Sequence, residues 1–233
     1  MSSSPVFCPE CGAPAPFRGT AVTLVCEYCG STIVRTGVDL RLVGRVSAIV
    51  DNGSPILLGS RGRFAGGGFE VLGRLQVGYA RGAWNEWYLG FANGETGWLS
   101  DALGQLAITR PSAGGGSLAL RFEQLQVGAV IGFSRTSFTI CDRHAARYLG
   151  SEGQLPFVAE PGLTFYSADL RGAGGEFLTL DWGSDPRHDR PALYLGVSTT
   201  LAATGLHPLR AFQGWPRPSA PAAGAAPATG ASR

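Results

Sequence analysis

Two Cys-x-x-Cys pairs constrain the start of this chain more than any other feature. Cys8-Pro9-Glu10-Cys11-Gly12 and Cys26-Glu27-Tyr28-Cys29-Gly30 repeat one spacing. In such a knuckle backbone N–H groups face a thiolate, and the Gly after the second Cys takes the positive φ of a tight turn. The 14 residues from Gly12 to Val25 between the pairs suit a short hairpin, and the pattern reads as a four-cysteine zinc ribbon over residues 5–36. Four thiolates complete a tetrahedral Zn²⁺ and leave no position for water or substrate. The expected cofactor is therefore one structural zinc per chain on Cys8, Cys11, Cys26 and Cys29. So small a module has little core, and zinc would supply its folding energy, on the order of 10–16 kcal/mol. A redox Cys-x-x-Cys or a chance pairing fits two matched knuckles poorly.

Charge narrows the partners. All 19 basic residues are Arg, and the net charge is +2, too small to argue for nucleic acid or an acidic membrane. Without Lys no side-chain Schiff base can form and no P-loop lysine exists. Within residues 1–36, Arg18 and Arg35 balance Glu10 and Glu27. A nucleic-acid finger needs a basic face, so nucleic acid is disfavoured and the ribbon is expected to contact protein. The N-terminus has no basic or apolar leader, and no apolar run approaches the roughly 18–20 residues of a membrane span. Five cysteines, four of them in pairs, suit a reducing compartment. The expectation is a cytoplasmic protein that reaches a membrane only peripherally, through a partner.

Beyond residue 38 the signals are β. Phe69-Glu70-Val71-Leu72-Gly73-Arg74-Leu75-Gln76-Val77 alternates like a half-buried strand. Trp87–Phe91 and Thr96–Leu99 flank Asn93-Gly94, a strong hairpin signal. A Gly-rich break from Pro111 to Ser117 precedes further strands at 129–133, 137–140, 164–166, 176–180 and 192–197. The predicted fold is mostly β: the ribbon, then two small barrel- or sandwich-like segments, 38–110 and 118–210. Phe69-x-Val71-x-x-Arg74 reads like Phe138-x-Ile140-x-x-Arg143, the trace of a divergent duplication. Residues 216–233, Ala/Pro/Gly/Ser without a large apolar side chain, are predicted to be a disordered tail.

Candidate chemistry beyond the cysteines centres on Trp84-Asn85-Glu86-Trp87-Tyr88. Alternation puts Trp84, Glu86 and Tyr88 on one face and Trp87 on the other. Trp84, Glu86, Trp87 and Trp98 are the candidate ligand- or partner-binding residues, since indoles beside a carboxylate suit a cation. Packing is the competing role for Trp87. Cys141 and His144 lack an evident orienting acid beyond Asp142, and His188 sits in a charged loop. Asp169, Glu176 and Asp181 could pair as carboxylates if the fold brings them together. Gly62 to Gly68 has no following helix and reads as a flexible turn rather than a phosphate loop.

Several stretches also look like one bacterial family. Leu58-Gly59-Ser60-Arg61-Gly62-Arg63-Phe64, Trp84-Asn85-Glu86-Trp87-Tyr88, Gly97-Trp98-Leu99, Gly150-Ser151-Glu152-Gly153-Gln154-Leu155-Pro156-Phe157 and Phe177-Leu178-Thr179-Leu180-Asp181 resemble the domain of unknown function numbered 4178, over roughly residues 38–210. Gln154 stands where the resemblance would place Glu. Proteins similar to it often carry an N-terminal ribbon and are encoded near membrane-stress proteins and polyamine-synthesis enzymes, a genomic association. The resemblance thus implies a soluble accessory factor and assigns no reaction.

The leading expectation is a non-enzymatic, zinc-stabilised β-rich adaptor for a protein partner, in a membrane-stress-associated complex. The alternatives are a module for a small polyamine-like cation, built on Trp84, Glu86 and Trp87, and a hydrolase-type enzyme using Asp169, Asp181 or His188. The arrangement around Trp84, Trp87 and Trp98 separates them: an aromatic-lined opening with Glu86 inside favours a ligand, and a filled core favours the adaptor.

Overall fold

The structure is a computed structural model that describes residues 6–36, 39–45, 49–113 and 118–212. The tail at 216–233 lies outside these residues, as does most of the Gly-rich break. Near the N-terminus, β1 (Thr23–Val25), β2 (Ser31–Thr36) and β3 (Asp39–Arg45) form an antiparallel ribbon sheet. The ribbon sheet therefore extends past residue 36, because β3 pairs antiparallel with β2, from Thr36 against Asp39 to Ser31 against Arg45.

The first β segment contributes β4 (Arg61–Phe64), β5 (Gly67–Tyr79), β6 (Gly82–Phe91), β7 (Thr96–Ala102) and β8 (Gln105–Pro111). The second contributes β9 (Val130–Phe133), β10 (Thr136–Leu155), β11 (Thr164–Gly172), β12 (Glu176–Gly183) and β13 (Ala192–Thr199). The mostly β reading holds, but the two segments do not close separately. Each supplies four strands to one antiparallel barrel, in the order β5-β6-β7-β8-β13-β12-β11-β10 and back to β5. A four-stranded meander leaves two open edges, and each half closes the other's.

The suspected duplication is visible in the topology. The β4–β5 hairpin pairs Phe64 with Gly67, and the β9–β10 hairpin pairs Phe133 with Thr136. Phe64 and Phe133, Phe69 and Phe138, Val71 and Ile140, and Arg74 and Arg143 each lie 69 residues apart. Both hairpins turn through two residues of positive φ, Ala65-Gly66 and Ser134-Arg135, as a tight type I′ connection requires. Gly62 to Gly68 is thus a hairpin with strand on both sides rather than a flexible turn.

A bulge stands at the equivalent place in each half, at Leu72 in β5 and at Cys141 in β10. An extra residue exchanges the faces of the strand. Phe69 and Val71 accordingly pack outside the barrel with Trp87, Leu89, Leu99, Ile108 and Leu206, whereas Leu75 and Val77 face inward with Tyr88 and Phe165. In β10, Phe138 and Ile140 join an outer cluster with Leu170, Leu178, Leu180 and Trp182, and the strand then turns inward. Segments 55–64 and 201–209 cover the first outer cluster, and residues 118–133 cover the second.

Two glycines permit the closure. A Cβ on Gly73 would overlap the Gln154 carbonyl at the β5–β10 seam, and one on Gly196 would overlap the Ile108 carbonyl at the β13–β8 seam. Gly196→Ala is expected to destabilise the barrel by about 1–3 kcal/mol, the usual cost of overpacking. Urea unfolding with an unchanged midpoint would contradict this close approach.

Candidate ligand-binding lumen and metal centre

An eight-stranded barrel has an interior just wide enough to be filled by side chains or to hold one small ligand. Here the interior contains a cavity of about 90 Å³ lined from all eight strands. Trp84 and Glu86 come from β6, Trp98 and Ser100 from β7, and Thr109 from β8. Tyr148 comes from β10, Phe165, Ser167 and Asp169 from β11, Thr179 and Asp181 from β12, and Tyr194 from β13. Period-two alternation puts each of these on the inner face.

Three of the expected carboxylates therefore share one lumen. Glu86 accepts from Trp84 Nε1 at 2.7 Å and from Ser100 Oγ at 2.9 and 2.8 Å. Asp169 accepts from Thr179 Oγ1 at 2.8 Å, and Asp181 from the Gly183 N–H at 2.7 Å. Burial pushes Glu86 up to about 8, with Asp169 and Asp181 adding to the shift and the Trp84 and Ser100 hydrogen bonds opposing it. Burial also raises Asp169, against the bond from Thr179, and raises Asp181 against the bond from Gly183. Glu86 and Asp169 lie deep in the protein yet keep accessible surface, because they face a void.

Four lumen hydroxyls are unpaired. Buried polar groups are normally hydrogen-bonded. Yet the Thr109 and Ser167 side chains, only 3% and 6% exposed, make no side-chain hydrogen bond among the described residues, nor do the Tyr148 and Tyr194 hydroxyls. All four line the cavity.

The two ends of the lumen differ. Toward the ribbon, Tyr88 packs on Trp98, Trp98 on Phe157, and Phe157 on Tyr148, so aromatic rings plug that end. Matching registers place Asp169 and Thr179 at the opposite end, where Tyr88 and Trp98 stand in the first half. That end opens into a mouth walled by Trp84, Ser100 and Asp169 and rimmed by Tyr79, Asp142, His144 and Arg171. His144 lies 3.5 Å from Asp142 and packs against Tyr79 and Trp84.

Some expected site residues lie elsewhere. Trp87 is fully buried on the outer face beneath the Arg74 guanidinium, 4.9 Å from its ring, and so leaves the ligand set; alternation along β6 separates it from Trp84 and Glu86. Glu176 accepts from the Gly174 N–H at the β11–β12 turn, and His188 is exposed in the loop after β12. Neither lines the lumen. Sequence reasoning missed Tyr148, Tyr194, Thr109, Ser100 and Ser167. Their only signal was the alternation of strands whose closure had not been recognised.

The four cysteines of the ribbon also converge. Their sulfur atoms all lie within 4.8 Å of one another, with Cys8–Cys29 and Cys11–Cys26 each 3.7 Å apart. Four ligands at the usual ~2.3 Å metal–sulfur distance stand about 3.8 Å apart in a tetrahedron, so the cluster fits a metal ion. Both knuckles are present: Gly12 and Gly30 donate to the Cys8 and Cys26 carbonyls at 2.8 Å, with φ of 73° and 71°.

The ribbon docks on the barrel's plugged end. β1 pairs with the end of β10, Val22 donates to the Leu155 carbonyl at 2.8 Å, and Thr20 Oγ1 meets the Tyr88 hydroxyl at 2.8 Å. Gln154 accepts from the Arg18 N–H at 2.6 Å and donates to the Pro16 carbonyl at 3.0 Å. Glutamate in its place would have no donor for Pro16, which gives the amide a physical reason.

Fold and site together define a closed antiparallel β-barrel with a polar lumen and, at one end, a module whose four clustered cysteines could hold a metal ion. The chain belongs to the family of the domain of unknown function DUF4178, whose model matches residues 57–199, the span from the strap before β4 to the end of β13. No curated protein and no solved structure matches the chain. No helix among the described residues is long and apolar enough to cross a membrane.

Proposed function

We propose that the barrel binds a small, polyamine-like organic cation in its lumen, and that the ribbon holds a structural Zn²⁺. One observation carries the cation reading: Glu86, Asp169 and Asp181 face a single cavity among aromatic walls and unpaired hydroxyls. Burial disfavours the ionised forms of these acids while the lumen holds no positive charge. A cation inside would stabilise their charged forms and meet the Trp84 and Trp98 rings, while the hydroxyls accept N–H bonds. Glu86 within an aromatic-lined opening favours a ligand over the adaptor role. The enzyme alternative keeps Asp169 and Asp181 together but loses His188.

Titration at pH 8 with butylamine, 1,4-diaminobutane and spermidine, followed by tryptophan fluorescence and calorimetry, tests the reading. Quenching is expected, because Trp84 and Trp98 line the cavity. No heat and no quench with any of the three would remove it.

For the ribbon, a tetrahedral S₄ donor set suits zinc or iron. The closed ligand set and short hairpins favour a structural zinc. Elemental analysis is expected to find about one zinc per chain, and iron in its place would overturn the assignment.

A further inference from the structure

We infer that the lumen's occupant carries two positive centres on one slender chain, each centre held by an acid–serine pair. This rests on the cation reading above and goes beyond it in fixing the number of charges and which side chains meet each. The first pair is Glu86 with Ser100, directly opposed across β6 and β7. The second is Asp181 with Ser167, directly opposed across β12 and β11.

The repeated registers relate the two pairs. β5 sets Leu75 against Glu86, and β10 sets His144, 69 residues after Leu75, against Ser167. Glu86 and Ser167 therefore hold equivalent places in the two halves, as do Ser100 and Asp181. The acid and the hydroxyl have exchanged strands, so each half retains one of each. A barrel built from two equivalent halves presents the two pairs from opposite walls. A chain with a charge at each end can meet both walls at once.

Two further observations define the chain. Among the described residues, the only cluster of three or more close His, Cys or acidic ligand atoms is that of the cysteines, so the three lumen acids do not converge on one point. The inner cavity, about 90 Å³, opens at the polar mouth beside Asp142 and Asp169, which is the way in for a slender chain. The unpaired Ser167 hydroxyl, 6% exposed, is an acceptor waiting beside Asp181, while the Ser100 hydroxyl is already turned to Glu86.

Calorimetry on the zinc-loaded full chain at pH 8 decides this. The probes are 1,4-diaminobutane, butylamine, tetramethylammonium and Mg²⁺. The diamine is expected to bind at least about tenfold more tightly than butylamine, a difference of about 1.4 kcal/mol. Glu86→Gln and Asp181→Asn should each bring the diamine down to the affinity of butylamine. Ser167→Ala should weaken the diamine by a larger factor than it weakens butylamine, which can still use the Glu86–Ser100 pair. Circular dichroism verifies the fold of each variant, and the Ser167→Ala arm stands if either acid variant fails to fold. Equal affinity for butylamine and the diamine would overturn the two-centre inference while leaving the cation reading intact. Tighter binding of tetramethylammonium or Mg²⁺ than of the diamine would also overturn it. Silence from every probe would remove both.

Discussion

Removing the metal, by chelation or by Cys26→Ser, is expected to unfold the ribbon and loosen the adjoining end of the barrel while leaving β6 to β8 intact. A structural zinc contributes on the order of 10–16 kcal/mol to modules of this kind. The ribbon's own core is a small cluster around Ala15, Leu24 and Ile33, of which two further buried members are Cys8 and Cys26, both in the four-cysteine cluster. Without the ion, four sulfur atoms crowded within 4.8 Å have nothing to hold them. The loss should spread along β1, whose pairing with β10 and the Thr20–Tyr88 contact tie it to the aromatic plug. Hydrogen exchange read by peptide mass spectrometry checks this: amides of residues 20–36 should lose protection on chelation, and those of 84–110 should keep it. Unchanged protection throughout would mean that the ribbon folds without metal.

Neutralising Glu86 has the second large effect, and its sign depends on pH. In the folded protein burial raises this carboxyl to about 8, against about 4.3 in an unfolded chain. The folded state therefore holds a proton that the unfolded state releases. Its stabilising contribution is complete below the unfolded value and is lost as pH rises through about 8. Asp169 and Asp181, also raised, act in the same direction. Glu86→Gln keeps an acceptor for Trp84 Nε1 and Ser100 Oγ without the ionisation. The variant should melt near the wild-type temperature at pH 4, above it at pH 6, and further above it at pH 9.

Ligand binding should show the opposite preference. An aliphatic ammonium stays charged to about pH 10, and its best partner is the ionised Glu86. Wild-type affinity for 1,4-diaminobutane should rise from pH 6 to pH 9, with proton release detectable from the buffer dependence of the binding heat. In Glu86→Gln that release should shrink and affinity should fall by at least about tenfold. Equal affinities and equal proton release in both proteins would exclude Glu86 as the partner. The groups facing it are Asp169, Asp181, Tyr148 and Tyr194 inside and Asp142, His144 and Arg171 at the mouth.

The sequence shows its local features more readily than its closure. The knuckles were legible because Cys8, Cys11, Cys26 and Cys29 carry their spacing in the chain, and the β6–β7 hairpin because Asn93-Gly94 encodes its turn. Alternation also sorted Trp84 and Glu86 from Trp87. It failed at Leu72 and Cys141, where a bulge exchanges faces without a compositional mark. The inward turn of His144 and Tyr148 was therefore hidden. The lumen itself depends on the β5–β10 and β8–β13 seams, pairings between residues far apart in sequence. Without those seams Glu86 and Asp181 belong to separate segments, and nothing local brings them together. Asp169 and Asp181 could be named as candidates, but only closure makes them neighbours of Glu86.

The central claim, a cation held inside the barrel, is tested most directly by locating the ligand. Intermolecular nuclear Overhauser contacts between ¹³C-labelled 1,4-diaminobutane and the protein should reach the indole protons of Trp84 and Trp98 and the methyl of Thr109, all on the lumen wall. Contacts confined to the outer surface, or none at saturating diamine, would contradict it.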